Sequence, residues 1–264
     1  MSQYGISTFA VFHLPLEEGV KEIVERGWKH LEFMCEGPGE ELLEWSPSKL
    51  IEIRDYLQYH GATTSIHAPI TRINLASSDV AVREESIALL RQCFQIADVF
   101  ESQYVLSHLG VGEDRKESLR HCVESIQTII KEKYTSDFYI ENVPPVERLL
   151  GGDVSDLIFV LELVRHEKLG VVFDTGHANM KQKLSPIEQF QLIGEHTKVV
   201  HVSNNYELED EHLPAGEGCF PWRPWNELAK IKGIDPLYIM ENKTINDAEK
   251  SKRWLADLEV SRLS

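Results

Sequence analysis

Short runs of β-branched, aromatic and aliphatic residues alternate with longer stretches of helical periodicity along the whole chain. Eight such runs, at residues 5–12, 30–35, 63–69, 103–109, 137–143, 170–175, 198–203 and 236–242, read as strands. Between them, segments such as PLEEGVKEIVERG and VREESIALLRQCFQIADVF place apolar residues at i, i+3, i+4 and i+7, the stripe of a helix that buries one face. Ser46 and Ser185, each followed by proline, read as N-caps, and Gly27, Gly61, Gly170 and Gly233 sit where helices are expected to end. Eight β/α repeats without a linker or low-complexity break predict an α/β protein, a single (β/α)8 TIM barrel domain over residues 1–264. The other common α/β solution, a doubly wound open sheet, calls for a glycine-rich phosphate turn after the first strand, and the chain reads HLPLEEG there.

The longest interruption of the alternation, residues 204–224, follows the seventh run. In a barrel it is a βα-loop on the C-terminal face, where such folds keep their active sites. Potential ligands gather at that face: His67 after run three, His108 after four, Glu141 after five, Asp174 and His177 after six, His201 in seven and Glu241 in eight. The long loop adds Asp210 and His212, for nine nitrogen or carboxylate donors at one mouth. His13, in the first rim loop, is open to either a structural or a site role.

Composition then sharpens this picture. The chain has 264 residues, 42% apolar and 27% charged, the balance of a folded globular protein. A net charge of −16 disfavours polyanionic partners unless metal ions or a basic strip intervene. Four scattered cysteines form no CxxC pair, no apolar run reaches the length of a membrane span, and the N-terminus does not read as a signal peptide. The expectation is a soluble cytoplasmic protein without a membrane partner. Buried carboxylates in one mouth need counter-charge, and basic residues there are few. A divalent metal is the economical solution, with histidine as co-ligand favouring zinc, manganese, cobalt or iron over calcium.

From SIHAPITRINLASSD through IENVPP, FDTGHANM, VVHVSNN and DEHLPAGEG to IMEN, the chain resembles the xylose isomerase-like TIM barrels. That superfamily is shared by endonuclease IV (AP endonuclease family 2) and sugar or sugar-phosphate isomerases and epimerases. The resemblance implies a central metal quartet of Glu141, Asp174, His201 and Glu241. It further implies, as in a trinuclear zinc cluster, His67 and His108 for one more ion and His177, Asp210 and His212 for another. The D-x-x-H and D-x-H-x-x-x-G-x-G spacings are both present. One to three divalent ions per chain, zinc or manganese, are therefore expected.

Two activities fit that resemblance. The first is a divalent-metal-dependent isomerase or epimerase of a sugar or sugar phosphate, working through a metal-stabilised enediolate. Glu141 and Glu241 would be the catalytic proton carriers, and His177, Arg72, Asn179 and Trp222 would bind substrate. The second is an endonuclease IV-like zinc-dependent phosphodiester hydrolase with a di- or trinuclear site, the one case in which nucleic acid is a partner. HANM and GEGCFPW resemble the isomerases, and the first two rim loops are acidic where a DNA-binding rim would carry arginines and intercalating side chains. NLASSD and the full ligand set resemble the endonuclease, and the balance favours the isomerase. Trp45 is a second candidate for an apolar wall, while Asn74, Asn142, Asn179, Asn204, Asn205 and Asn242 flank the motifs as candidate hydrogen-bonding groups.

Overall fold

In the computed structural model, which describes residues 4–260, eight parallel strands close into a barrel in chain order. They are β1 (Tyr4–Ser7), β2 (His30–Met34), β3 (Thr63–His67), β4 (Tyr104–Ser107), β5 (Asp137–Glu141), β6 (Leu169–Asp174), β7 (Thr197–Val202) and β8 (Leu237–Met240). Pairing of Gly5 with Ile239 and of Ile6 with Met240 joins the last strand to the first. Helices occupy the connections as the periodicity predicts, capped by Ser46 at Lys49 N and by a reciprocal Ser185–Glu188 capping box. Among the described residues no helix is long and apolar enough to cross a membrane.

Alternation along the strands sorts side chains between two cores. Ile6, Leu31, Phe33, Ile66, Val105, Ile140, Phe173, Val200 and Met240 join the large core under the helices. Residues of the opposite parity, Tyr104, Leu106, Tyr139, Val172, Val199 and Ile239, form a separate cluster made of strand residues alone, which fills the barrel interior. Two residues beyond its members, on the same inward parity, stand His108, Glu141, Asp174, His201 and Glu241. The period of two that floors the barrel with hydrocarbon therefore lifts the donors to its mouth.

Two local features differ from the periodicity. The first strand stops at Ser7, because the Ser7 hydroxyl accepts from Phe9 N at 3.2 Å and turns residues Thr8–Val11 into a 3-10 helix. Thr8 Oγ1 accepts from Met34 N at 2.9 Å, so the turn is locked to β2 and carries Phe9 and Phe12 over the mouth. Gly170 is no helix terminus but lies within β6, where a Cβ would approach the Tyr139 ring to 2.8 Å. The preceding helix, Val154–Val164, ends instead on Arg165 with φ of 48°.

Low in the barrel, His30 is buried with Nδ1 2.8 Å from Thr63 Oγ1 and Nε2 3.0 Å from Ser65 Oγ. Two hydroxyls suit a neutral imidazole, and burial pushes the pKa down to about 4 from 6.5, against a smaller opposing pull from Glu32. The unfolded chain binds this proton first, so the stability contributed by neutral His30 is complete above pH 6.5 and is lost as pH falls towards 4. The drop corresponds to about 3 kcal/mol. Chemical denaturation at pH 7 and pH 4 should show the parent protein losing about that much more stability than His30→Gln. Equal losses in the two proteins would rule out His30 as a source of acid sensitivity.

Candidate active site

Over the C-terminal ends of the strands opens a cavity of about 610 Å³. Seven of the nine expected donors are at most 8% exposed, and Asp210 and His212 sit slightly higher, on the long loop. That loop is an excursion closed at its base, where Asn204 and Leu213 exchange both backbone hydrogen bonds at 3.0 and 2.8 Å. Gly218 folds back over it with φ of 81°, 2.6 Å from Asn205 O at the position of a would-be Cβ, a place no other residue fits. His212 adopts φ of 51°, a conformation that a histidine holds only when its surroundings fix it.

Backbone carbonyls aim the histidines. Nδ1 of His67 donates to Ala68 O, that of His177 to Asn142 O and that of His212 to Glu241 O, each at 2.9 Å. A carbonyl can only accept, so a proton sits on each Nδ1 and Nε2 is the nitrogen left to meet the carboxylates of the mouth or a metal ion. Asn142 clamps the top of β6, donating to Asp174 O at 2.9 Å and accepting from Asp174 N at 2.8 Å.

The donors fall into linked sets. Glu141, Asp174, His201 and Glu241 each offer an atom within 4.8 Å of the others, as do His67, His108 and Glu141. Glu141 belongs to both: Oε1 lies 2.9 Å from His201 Nδ1, while Oε2 lies 3.0 Å from His108 Nε2 and 3.4 Å from His67 Nε2. In a third set, Asp210 Oδ2 stands between His177 Nε2 at 3.3 Å and His212 Nε2 at 3.1 Å.

Electrostatics favour cations here. Burial alone would push the Glu141 and Glu241 carboxyls up, but the charged His201 beside them outweighs it, holding Glu141 well below its usual value and Glu241 at about 2. Asp174 lacks enough compensation: burial, with Glu241 and Glu141 nearby, raises it to about 7. Burial opposes charge on His201, yet Glu32, Glu241 and Glu141 hold its pKa well above the usual value, and His212 is raised to about 9 against burial by Asp210. Four acidic side chains thus draw protons onto histidines.

A divalent ion would satisfy the same groups. Glu141 Oε1, Asp174 Oδ2 and Asp210 Oδ1 are buried without a hydrogen-bond partner. His201 Nδ1 faces Glu141 Oε1 at 2.9 Å and Glu241 Oε2 at 3.1 Å while Nε2 faces Glu32 Oε1 at 2.9 Å, so in a neutral ring, with one N–H, one nitrogen must oppose a lone pair to a carboxylate. Such convergent nitrogen and carboxylate donors fit a transition metal.

Glu32, not apparent as a site residue from sequence, lies beneath His201. It is fully buried in β2, with Oε1 2.9 Å from His201 Nε2, and Oε2 accepts from the Tyr104 hydroxyl at 2.6 Å. Its signal was an inward-parity carboxylate in an otherwise buried strand. Glu36, also unanticipated, lines the cavity while its carboxylate accepts from Ile70 N, Thr71 N and Thr71 Oγ1.

The expected substrate-binding residues other than His177 do not line the cavity. Arg72 is exposed and pairs with Glu40 at 2.9 Å. Asn179 donates to Asn205 Oδ1 at 2.9 Å and thereby braces the long loop. Trp222 is buried at the head of the helix Trp222–Ile231, against Phe220, Trp225 and Trp254. Trp45 packs on the core and donates to Glu41, and His13 is exposed.

A family model described as xylose isomerase-like TIM barrel matches residues 20–260. An uncharacterized protein of Methanocaldococcus jannaschii is 28% identical over 263 residues, 97% of this chain and 88% of that protein. A probable endonuclease 4 of Natranaerobius thermophilus is 28% identical over 239 residues, 78% of this chain and 81% of its own length. Among solved structures, a D-tagatose 3-epimerase-like protein superposes with a TM-score of 0.87 at 27% identity, covering 100% of both chains. The closed barrel, the donor sets at its mouth and a match across nearly the whole length have one conclusion: this chain belongs to the xylose isomerase-like TIM barrel family.

Proposed function

We infer that the protein is a divalent-metal-dependent epimerase or isomerase acting on a hydroxyketone. The observation that carries this reading is the pair Glu141 and Glu241, two buried carboxylates from β5 and from just beyond β8. They reach the same His201 nitrogen at 2.9 and 3.1 Å and both line the cavity. Both are held in the ionised form that a proton acceptor requires. One carboxylate takes the carbon-bound proton next to the carbonyl, and the other returns a proton to the opposite face. The configuration inverts with no oxidant or reductant consumed. A zinc or manganese ion held by Glu141, Asp174, His201 and Glu241 would supply a Lewis acid for the oxygen charge that develops as the proton leaves. His177, its Nδ1 tied to Asn142 O, would hold a substrate oxygen through Nε2.

The similarity to a D-tagatose 3-epimerase-like protein supports this reading. The phosphodiester hydrolase retains one specific observation in its favour: Glu141 presents separate oxygens to two donor sets, as a bridging ligand would, and a relative is named probable endonuclease 4. Incubation of the metal-loaded protein with ketoses in deuterium oxide distinguishes the two. Deuterium is expected at the carbon beside the carbonyl. Nicking of abasic-site DNA at physiological salt, with no exchange into any hydroxyketone, would replace the epimerase by the hydrolase.

A further inference from the structure

Apart from the donors, the cavity lining is mostly hydrocarbon. Phe9, Phe12, Met34, Ile70, Ile73 and Leu149 contribute to it. Phe9 and Phe12 meet edge to face at 5.2 Å, and Phe9 lies 4.9 Å from the ring of His212, so the apolar surface runs up to the donor set without a polar border. The polar oxygens on that wall already carry hydrogen bonds. The Glu36 carboxylate takes three hydrogen bonds from Ile70 and Thr71, Thr71 spends its hydroxyl on Glu36, and Asn74 Oδ1 accepts from Ala76 N and Val111 N. A polyhydroxylated chain lying there would lose water from its hydroxyls and find few partners, a cost of about 1–3 kcal/mol for each group left unpaired.

Charge excludes a second class. None of the described residues lining the cavity is a lysine or arginine, whereas Glu36, Glu141, Asp210 and Glu241 all do so, and Arg72 is turned away to Glu40. A phosphate beyond the donor sets would find no lysine or arginine among the described lining residues and would meet the Glu36 carboxylate and hydrocarbon. The volume of about 610 Å³ lies within the roughly 300–1,000 Å³ of pockets that take drug-sized ligands, leaving room past a chelated head.

We propose that the substrate is an uncharged hydroxyketone carrying an apolar or aromatic body, its two adjacent oxygens towards Glu141, Glu241 and His177 and its hydrocarbon against Phe9, Phe12 and Ile73. This substrate class rests on the epimerase reading. Hydroxamates test it by binding alone, because they chelate through two adjacent oxygens and differ only in what those oxygens carry. Calorimetry with the zinc- or manganese-loaded protein should find benzohydroxamate at least about tenfold tighter than acetohydroxamate, the lower end of what a filled apolar pocket contributes. Phosphonoacetohydroxamate should bind no tighter than acetohydroxamate. Phe12→Ser should reduce the benzo-to-aceto ratio to about threefold or less. Val111→Ser, at a 46% exposed lining position outside the strands and helices, should lower the ratio by a smaller factor. Equal affinity for the two neutral hydroxamates, or tighter binding of the anionic one, overturns the proposal. Deuterium exchange separates it from the reading beneath it. Exchange into 1-hydroxy-1-phenylpropan-2-one that outpaces D-fructose supports the apolar substrate. D-fructose exchanging as fast or faster overturns the substrate class while leaving an epimerase, and no exchange into either overturns both.

Discussion

Replacing Glu141 by glutamine should lower turnover by about 10³-fold and reduce metal content at two donor sets together. The side chain is 1% exposed and spends one oxygen on each set, Oε1 towards His201 and Oε2 towards His108 and His67. Glutamine keeps the shape but offers one acceptor oxygen, and its amide nitrogen would turn donor hydrogens towards whichever set lost the carboxylate. Removal of one positioned proton carrier typically costs about 10²–10⁴ in rate, and the loss of ligand charge adds to that. Glu241→Gln is the informative contrast. Its Oε2 lies 3.1 Å from His201 Nδ1 and it belongs to the quartet but not to the His67–His108–Glu141 set, so turnover should fall similarly while the His67–His108 set keeps its ion. Elemental analysis of the purified variants, alongside deuterium exchange, reads both effects. A Glu141→Gln protein that keeps a tenth of parental turnover, or full metal content, would remove Glu141 from the centre of the site.

How far such a site can be read in the sequence depends on what each residue's position encodes. The eight strands and the mouth donors are legible because inward parity and strand end coincide: Tyr139 then Glu141, Val172 then Asp174, Val199 then His201 and Ile239 then Glu241 are each two residues apart. Glu32 follows the same parity yet does not stand out. In HLEFM the polar residues alternate with Leu31 and Phe33 just as in a strand with one wet face, and only barrel closure makes that face an interior. Trp222 illustrates the converse. A tryptophan beside a glycine-rich rim motif suggests a substrate wall, but the helix beginning at Trp222 directs it into an aromatic cluster with Trp225 and Trp254. Ser7 ends β1 early through one side-chain hydrogen bond, too local for a hydrophobic pattern to register, and that bond is what delivers Phe9 to the cavity.

Glu32→Gln should weaken metal binding at the central quartet by about 10–100-fold while the barrel stays folded. Carboxylates that contact the far nitrogen of a ligating histidine fix its ring and raise its basicity, and their loss typically has this cost. Here Oε1 lies 2.9 Å from His201 Nε2, which leaves Nδ1 facing Glu141 and Glu241. Among the charges that raise the His201 pKa, Glu32 is the strongest, so its removal makes that ring both a poorer base and a poorer ligand. Tyr104→Phe takes away the 2.6 Å hydrogen bond to Oε2 but keeps the carboxylate itself, which is then free to shift. A charge-assisted bond of this kind contributes about 1.5–3 kcal/mol to holding it, of which only part reaches the metal. Titration against a chelating dye should therefore rank parent, Tyr104→Phe and Glu32→Gln in order of falling affinity, with circular dichroism unchanged. Glu32 makes its close contacts with His201 and Tyr104 and belongs to neither donor set, so the ion of the His67–His108 set should be retained in both variants. Unchanged affinity in Glu32→Gln would mean that β5, β6 and β8 fix His201 by packing alone, and the carboxylate beneath it would then serve the interior of the barrel and not its mouth.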